Sequence, residues 1–369
     1  MRMTALILCA AALSSPCAAL ELDQPDGIIR EAASIPFVTA GAATLHLDAI
    51  VTRPADPGRY PMVVITHGTN TPEENKVTFP TIFSPMAIDF ARRGWVAVSV
   101  TRRGHGRSEG QWSDGYGGCE NPDYQAAGLS GAEDIIQTIE AMRSRPFVDS
   151  TRVLLIGHSA GGLAIIAAAS LAPEGLVGAI NFAGGRGSLQ PASDALCASD
   201  RLIEACGFYG KTTRAPTLWI YSENDHYFSP ALAREMLSAF TRAGGHGDLI
   251  VAPPYGKEGH GMVVQGPPEL WQDAVDNFLR QNHLPTWSRP IRPQPPVLPP
   301  PKGARPSDFQ TYLASERFEK AFAISLDGHH SGLAYGQRSA EEAAAAALKT
   351  CSSNGAACKV HAINNKLAE

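Results

Sequence analysis

The run Val153-Leu154-Leu155-Ile156-Gly157-His158-Ser159-Ala160-Gly161-Gly162-Leu163 limits the folds open to this chain more than any other stretch. Four apolar β-formers lead into a Gly-x-Ser-x-Gly turn, and Leu163-Ala164-Ile165-Ile166-Ala167-Ala168-Ala169 follows as an apolar run suited to a buried helix. A strand that feeds a helix through so short a turn tolerates no bulk beside its apex. Gly157 and Gly161 meet that need and leave Ser159 at the tip as a candidate nucleophile. The amide N–H of Ala160 falls at a helix N-terminus, where it would face an oxyanion formed on a carbonyl attacked by Ser159. The pentapeptide alone is a weak signal, and its setting between strand and helix makes it a strong one.

A chain of 369 residues exceeds the usual single domain, so one large domain and something smaller are expected. The net charge of -5 gives no basic footprint for a nucleic acid. Residues 1–19 read as a signal peptide: Arg2, the apolar segment Ala5–Leu13, then small residues through Cys17-Ala18-Ala19. No later apolar run is long enough to span a bilayer. The expectation is an exported protein, periplasmic or secreted, with cleavage near Ala19.

Export sets the reading of the cysteines. Five of the seven remain after cleavage, and close pairs in an oxidising compartment are expected to be bridged. Cys351 and Cys358 flank the turn-like Ser352-Ser353-Asn354-Gly355 and are the expected disulfide. Cys119, Cys197 and Cys206 leave one bridge and one thiol whose pairing stays open. No cysteine has zinc-ligand spacing with histidines, so no metal is expected.

Residues 43–53 alternate like a half-exposed strand, and Met62–Thr66 is an apolar inner strand ending in His67-Gly68-Thr69-Asn70. On this loop the backbone N–H of Thr69 is the second expected oxyanion donor, with Gly68 allowing close approach. Strand Trp95–Val100 runs into Arg102-Arg103-Gly104-His105-Gly106-Arg107-Ser108, read as a tight loop pinned by arginine–carboxylate pairs; it lacks the Gly-Lys-Ser/Thr ending of a phosphate loop. Helices are expected over Ser84–Arg93 and Tyr124–Arg143. Residues 186–212 show little periodicity and are expected to form an irregular small lid. Strand Thr217–Tyr221 ends in a loop carrying Asp225, the candidate orienting carboxylate, with Glu223 the other acid there. His260, between glycines on the loop before the last helix, is the candidate base. The helix Pro268–Gln281 closes the domain.

The order Ser159, Asp225, His260 is the Ser…Asp…His order of α/β-hydrolases. Over about Ala43–Leu284 the chain resembles that superfamily, most closely its dienelactone-hydrolase-like and prolyl-peptidase-like branches. The matching motifs are His67-Gly68, Arg103-Gly104-His105-Gly106-Arg107-Ser108, Gly157-His158-Ser159-Ala160-Gly161-Gly162, Asn224-Asp225 and Gly259-His260. The resemblance implies an α/β fold, with an eight-stranded, mostly parallel sheet flanked by helices, and hydrolysis of carboxylic esters or related acyl bonds without a cofactor. Dienelactone hydrolases proper use a cysteine nucleophile where this chain has Ser159. A small-molecule ester is the expected substrate. A peptidase using the same residues, or a non-catalytic binding protein on this scaffold, are the alternatives.

The expected domains are 20–284 for the hydrolase, 285–306 for a proline-rich spacer, and 307–369 for a small disulfide-containing α+β unit. In the last, Ser339 and Glu342 form a capping box before a helix. This unit looks like small C-terminal modules of other exported bacterial proteins, and an envelope or protein partner is a possible role for it.

Overall fold

The continuous apolar runs become the inner strands of one sheet, and each ends where a loop of chemical interest begins. A computed structural model describes residues 21–22, 27–69, 78–190, 196–287 and 296–368. The signal-peptide expectation for residues 1–19 therefore lies outside the described residues, as does Asn70. The strands of the first sheet are β1 (Glu21–Leu22), β2 (Ile28–Val38), β3 (Thr44–Pro54), β4 (Tyr60–Thr66), β5 (Val96–Val100), β6 (Val148–His158), β7 (Leu176–Phe182), β8 (Pro216–Ser222) and β9 (His246–Ala252). They are ordered β1-β2-β3-β5-β4-β6-β7-β8-β9. From β5 across to β9 all pairs are parallel, whereas β2 and β3 join antiparallel at one edge. The eight strands β2–β9 form the expected mostly parallel sheet, and two-residue β1 extends its edge.

Among the described residues seven helices accompany this sheet: α1 (Ser84–Arg92), α2 (Tyr124–Arg143), α3 (Ala160–Ser170), α4 (Ser199–Gly210), α5 (Pro230–Arg242), α6 (Met262–Gln265) and α7 (Gln272–Gln281). Every residue of α3 is buried, as a helix without a polar face requires. The sheet separates two cores. Tyr124, Ile135, Leu163, Ile166 and Tyr209 lie in one, and Phe83, Phe90, Phe182, Trp271 and Phe278 in the other.

Two expectations need correction. Residues 186–212 are not irregular throughout, because 199–210 form α4. Its buried Leu202, Ala205, Cys206 and Tyr209 recur at three- and four-residue intervals. The expected helix Pro268–Gln281 is broken into a short 3-10 turn, Pro268–Leu270, and α7. Strand β2, for which the sequence carries no expectation, pairs with β3 along all eleven residues.

A second, antiparallel sheet follows: β10 (Ala321–Ser325), β11 (Ser331–Ala334), β12 (Cys358–Ile363) and β13 (Lys366–Leu367), ordered β11-β10-β12-β13. α8 (Pro306–Ala314) covers one face through Phe309, Tyr312 and Leu313, and α9 (Ala340–Cys351) covers the other through Ala343 and Ala347. The Ser339 side chain caps α9 by accepting from the Glu342 N–H at 3.2 Å. Disulfides join Cys351 to Cys358 and Cys119 to Cys197, leaving Cys206 as a buried thiol. Disulfides of this kind belong to chains in oxidising surroundings. Among the described residues no helix is long and apolar enough to cross a membrane.

The second sheet is docked rather than merely tethered. Arg30 of β2 forms a fully buried ion pair with Glu319 at 2.5 Å. Arg338 meets Asp48 at 2.7 Å, Arg92 meets Glu316 at 2.9 Å, and Arg317 donates to the Val264 carbonyl at 2.5 Å. Of the proline-rich segment 285–306, residues 288–295 lie outside the described residues. Its first residues are held down: Trp287 donates to Asp276 at 3.0 Å, and the Arg93 guanidinium lies 3.8 Å from its ring centre.

Candidate active site

The turn between β6 and α3 places Ser159 at φ +55°, ψ −123°, a conformation that L-residues adopt only where the surroundings enforce it. The enforcement is visible. The Ser159 N–H donates to the Phe182 carbonyl at 3.0 Å, and its own carbonyl accepts from Gly185 at 3.1 Å. A side chain on Gly157 would strike the Gly161 carbonyl, and one on Gly161 would strike the His67 carbonyl. The two glycines are thus required by packing of backbone on backbone.

The β4 loop lies directly against this turn. A Cβ on Gly68 would sit 2.8 Å from the Ser159 Cβ, so only a residue without a side chain fits there. His67 is buried, and its Nε2 accepts from the Arg102 N–H at 3.0 Å. Its proton is then on Nδ1, which donates to the Gly68 carbonyl at 2.5 Å. Burial and the Arg102 charge hold its pKa well below the usual histidine value, so the ring stays neutral. Across a trans peptide the carbonyl and the next N–H point in opposite directions. By holding the Gly68 carbonyl, His67 therefore fixes the direction of the Thr69 N–H.

Arg102 braces the same loop. It donates to Thr66 Oγ1 at 2.9 Å, to Thr69 Oγ1 at 3.2 Å and to Asp114 at 2.9 Å. Burial alone would raise the Asp114 pKa, but the charges of Arg102 and Arg186 prevail and keep it ionised. Arg103 likewise pairs with Asp134 at 2.6 Å. These are the arginine–carboxylate pins expected of the 102–110 loop.

Asp225 and His260 come from the loops after β8 and β9. Asp225 is buried, and its Oδ2 accepts from His260 Nδ1 at 3.1 Å while Oδ1 accepts from the Phe228 N–H at 2.8 Å. With Nδ1 so committed, Nε2 is the ring nitrogen open to a reacting group. His158, the neighbour of Ser159, donates from Nε2 to the His260 carbonyl at 2.8 Å. The His158 and His260 ring centres are 5.0 Å apart. Burial, helped by His260, pushes the His158 pKa down to about 3, so this ring is a neutral prop and not a second base. Ser159 Oγ itself makes no hydrogen bond among the described residues. Such bonds are commonly loose before substrate is engaged.

Ser159, His260 and Asp225, with the Gly68–Thr69 peptide and the start of α3, are therefore gathered at the strand ends. The chain matches the model of the X-Pro dipeptidyl-peptidase (S15) family over residues 43–191, which include Thr69 and Ser159 but neither Asp225 nor His260. An acylaminoacyl peptidase solved with a chloromethyl ketone shares the fold at a TM-score of 0.50 and 19% identity, covering 71% of this chain and 43% of that one. The chain has the α/β-hydrolase fold. An esterase of Pyrococcus furiosus aligns at 16% identity and TM-score 0.49, over 68% of this chain and 91% of the esterase. Acetyl xylan esterase 1 of Thermoanaerobacterium sp. JW/SL YS485 aligns at 17% identity and TM-score 0.46, over 71% and 86% of the respective chains. No curated protein matches this chain in sequence.

Sequence reasoning missed one contributor, Glu258. Its Oε1 accepts from the His260 N–H at 2.9 Å and the His226 N–H at 3.2 Å, and its Oε2 lies 2.9 Å from His226 Nδ1. Burial works to raise its pKa, yet these hydrogen bonds win and lower it. An acid two residues before the histidine was the available signal. Among the described residues no cluster of three or more His, Cys, Asp or Glu is placed to hold a metal.

Proposed function

We propose that this α/β-hydrolase is an exported serine hydrolase that cleaves carboxylic esters through Ser159, His260 and Asp225. The observation that carries the reading is a buried carboxylate on Nδ1 of a histidine whose backbone is tied to the neighbour of a serine in a forced left-handed turn.

Ser159 Oγ attacks the acyl carbonyl while His260 Nε2 takes its proton. The backbone N–H groups of Thr69 and Ala160 stabilise the tetrahedral oxyanion. Asp225 holds the His260 tautomer and stabilises the imidazolium. His260 then protonates the leaving alcohol, and water, activated by the same ring, releases the acid from the acyl-enzyme. No step requires a cofactor.

The S15 family match favours a second reading, amide cleavage after proline by the same residues. Turnover of p-nitrophenyl esters beside Xaa-Pro-p-nitroanilides separates the two. The ester reading predicts turnover of the esters alone, and loss of it in Ser159→Ala. Turnover of the anilides alone overturns it. Export is supported by the two disulfides and by the N-terminal sequence. The mass of the secreted protein tests for removal of residues 1–19.

A further inference from the structure

His260 sits in a short helical stretch, Gly259–Gly261 running directly into α6 (Met262–Gln265). So short a helix has little stability of its own, and the place of the histidine depends on what holds the stretch at its ends. At the front, Glu258 accepts from the His260 N–H at 2.9 Å, and the His260 carbonyl accepts from His158 at 2.8 Å. Both of these anchors lie within the hydrolase domain.

The rear anchor does not. Four residues beyond Val264 stands Pro268, which has no N–H to give, so the Val264 carbonyl has no helical partner to come. The Arg317 guanidinium supplies one at 2.5 Å, across 53 residues of chain. A charged donor makes this the stronger kind of hydrogen bond. Arg317 is itself fixed, because its N–H donates to Ser315 Oγ at 3.2 Å and its carbonyl accepts from the Gly336 N–H at 3.1 Å. On either side of it, Glu316 pairs with Arg92 and Glu319 with Arg30, which ties the same segment to the hydrolase domain. A braced side chain thus reaches from the unit of the second sheet to the helical turn that carries His260.

We propose that Arg317 is a positioning residue for His260, and that through it the C-terminal unit is part of the catalytic framework. This rests on the hydrolase reading of Ser159 and His260. Without Arg317 the end of α6 is released and the stretch can shift, carrying the imidazole away from Ser159. A shift of about 1 Å near the reacting atoms costs on the order of 10²-fold in rate.

Labelling of the full chain with a fluorophosphonate, followed over time, reads rate and final extent separately. A displaced His260 slows the attack by Ser159 in every molecule, whereas a merely weakened fold lowers the fraction of molecules that can be labelled. Arg317→Met is expected to be labelled at least about tenfold more slowly than wild type, to the same final extent. Arg338→Met, which breaks the docking contact with Asp48 instead, is expected to keep the wild-type rate. A wild-type rate in Arg317→Met, with full or lowered final extent, overturns the proposal, and so does equal slowing in Arg338→Met. If Arg317→Met does not fold, Arg317→Gln, whose side chain is too short to reach the carbonyl, decides by the same criteria. Failure of the wild type itself to be labelled contradicts the hydrolase reading, and this proposal with it.

Discussion

Oδ2 of Asp225 holds Nδ1 of His260 at 3.1 Å, while Oδ1 of the same carboxylate is held by the Phe228 N–H. Both oxygens are used, so the carboxylate cannot rotate away from the imidazole. Asp225→Asn keeps the shape but can turn its amide N–H₂ toward the ring, which then moves its proton to Nε2 and cannot accept one from Ser159. We expect kcat to fall about 10³- to 10⁴-fold with KM little changed. Steady-state kinetics on a p-nitrophenyl ester measure this.

Gly68 gives a steric test of the same site. Its place against the Ser159 Cβ leaves no room for a methyl group, so Gly68→Ala must push the loop or the serine aside. Displacement of about 1 Å near the reacting atoms costs on the order of 10²-fold in rate. Fluorophosphonate labelling of Gly68→Ala should slow by that factor while thermal unfolding stays cooperative.

The docking of the second sheet rests in part on the Arg30–Glu319 pair, both side chains fully buried. Removing one member strands a buried charge, so Arg30→Met should destabilise the protein by about 3–5 kcal/mol. The double variant Arg30→Met/Glu319→Gln should recover most of that loss, because Gln retains an oxygen for Asn364. Urea unfolding of the three proteins compares them.

Lys320 provides a pH test. Its ammonium is buried and donates to the carbonyls of Tyr312, Leu313 and Ser315, and burial pushes its pKa down from 10.5 to about 8. The folded chain therefore sheds this proton before the unfolded chain does. Its cost to stability is present in full below pH 8 and is relieved as pH rises toward 10.5. Wild type should gain on Lys320→Met by about 2 kcal/mol between pH 7 and pH 10, read from paired urea unfolding curves.

What was legible in the sequence was local. The turn around Ser159 could be read because Gly157 and Gly161 answer a steric demand within five residues. The inner strands β4, β5 and β6 could be read because burial on both faces leaves an unbroken apolar run. Asp225 and His260 could be named as candidates because each follows a strand in a fixed order. What was not legible depends on partners far along the chain. β2 is half-buried at the sheet edge and shows its role only through pairing with β3. Cys119 and Cys197 are 78 residues apart, and Arg30 and Glu319 are 289 apart. No spacing rule links such residues. In α4 the helical spacing of Leu202, Ala205, Cys206 and Tyr209 is present in the sequence, but it spans only three turns and is interrupted by polar and glycine positions.

The central claim is that Ser159 becomes covalently acylated. Rapid acid quenching of the enzyme with p-nitrophenyl acetate, followed by peptide mapping, tests it most directly. The account predicts one acetyl group on the peptide carrying Ser159, formed in a burst and absent from Ser159→Ala. Ester hydrolysis that proceeds without any such adduct, or that survives in Ser159→Ala, would contradict it.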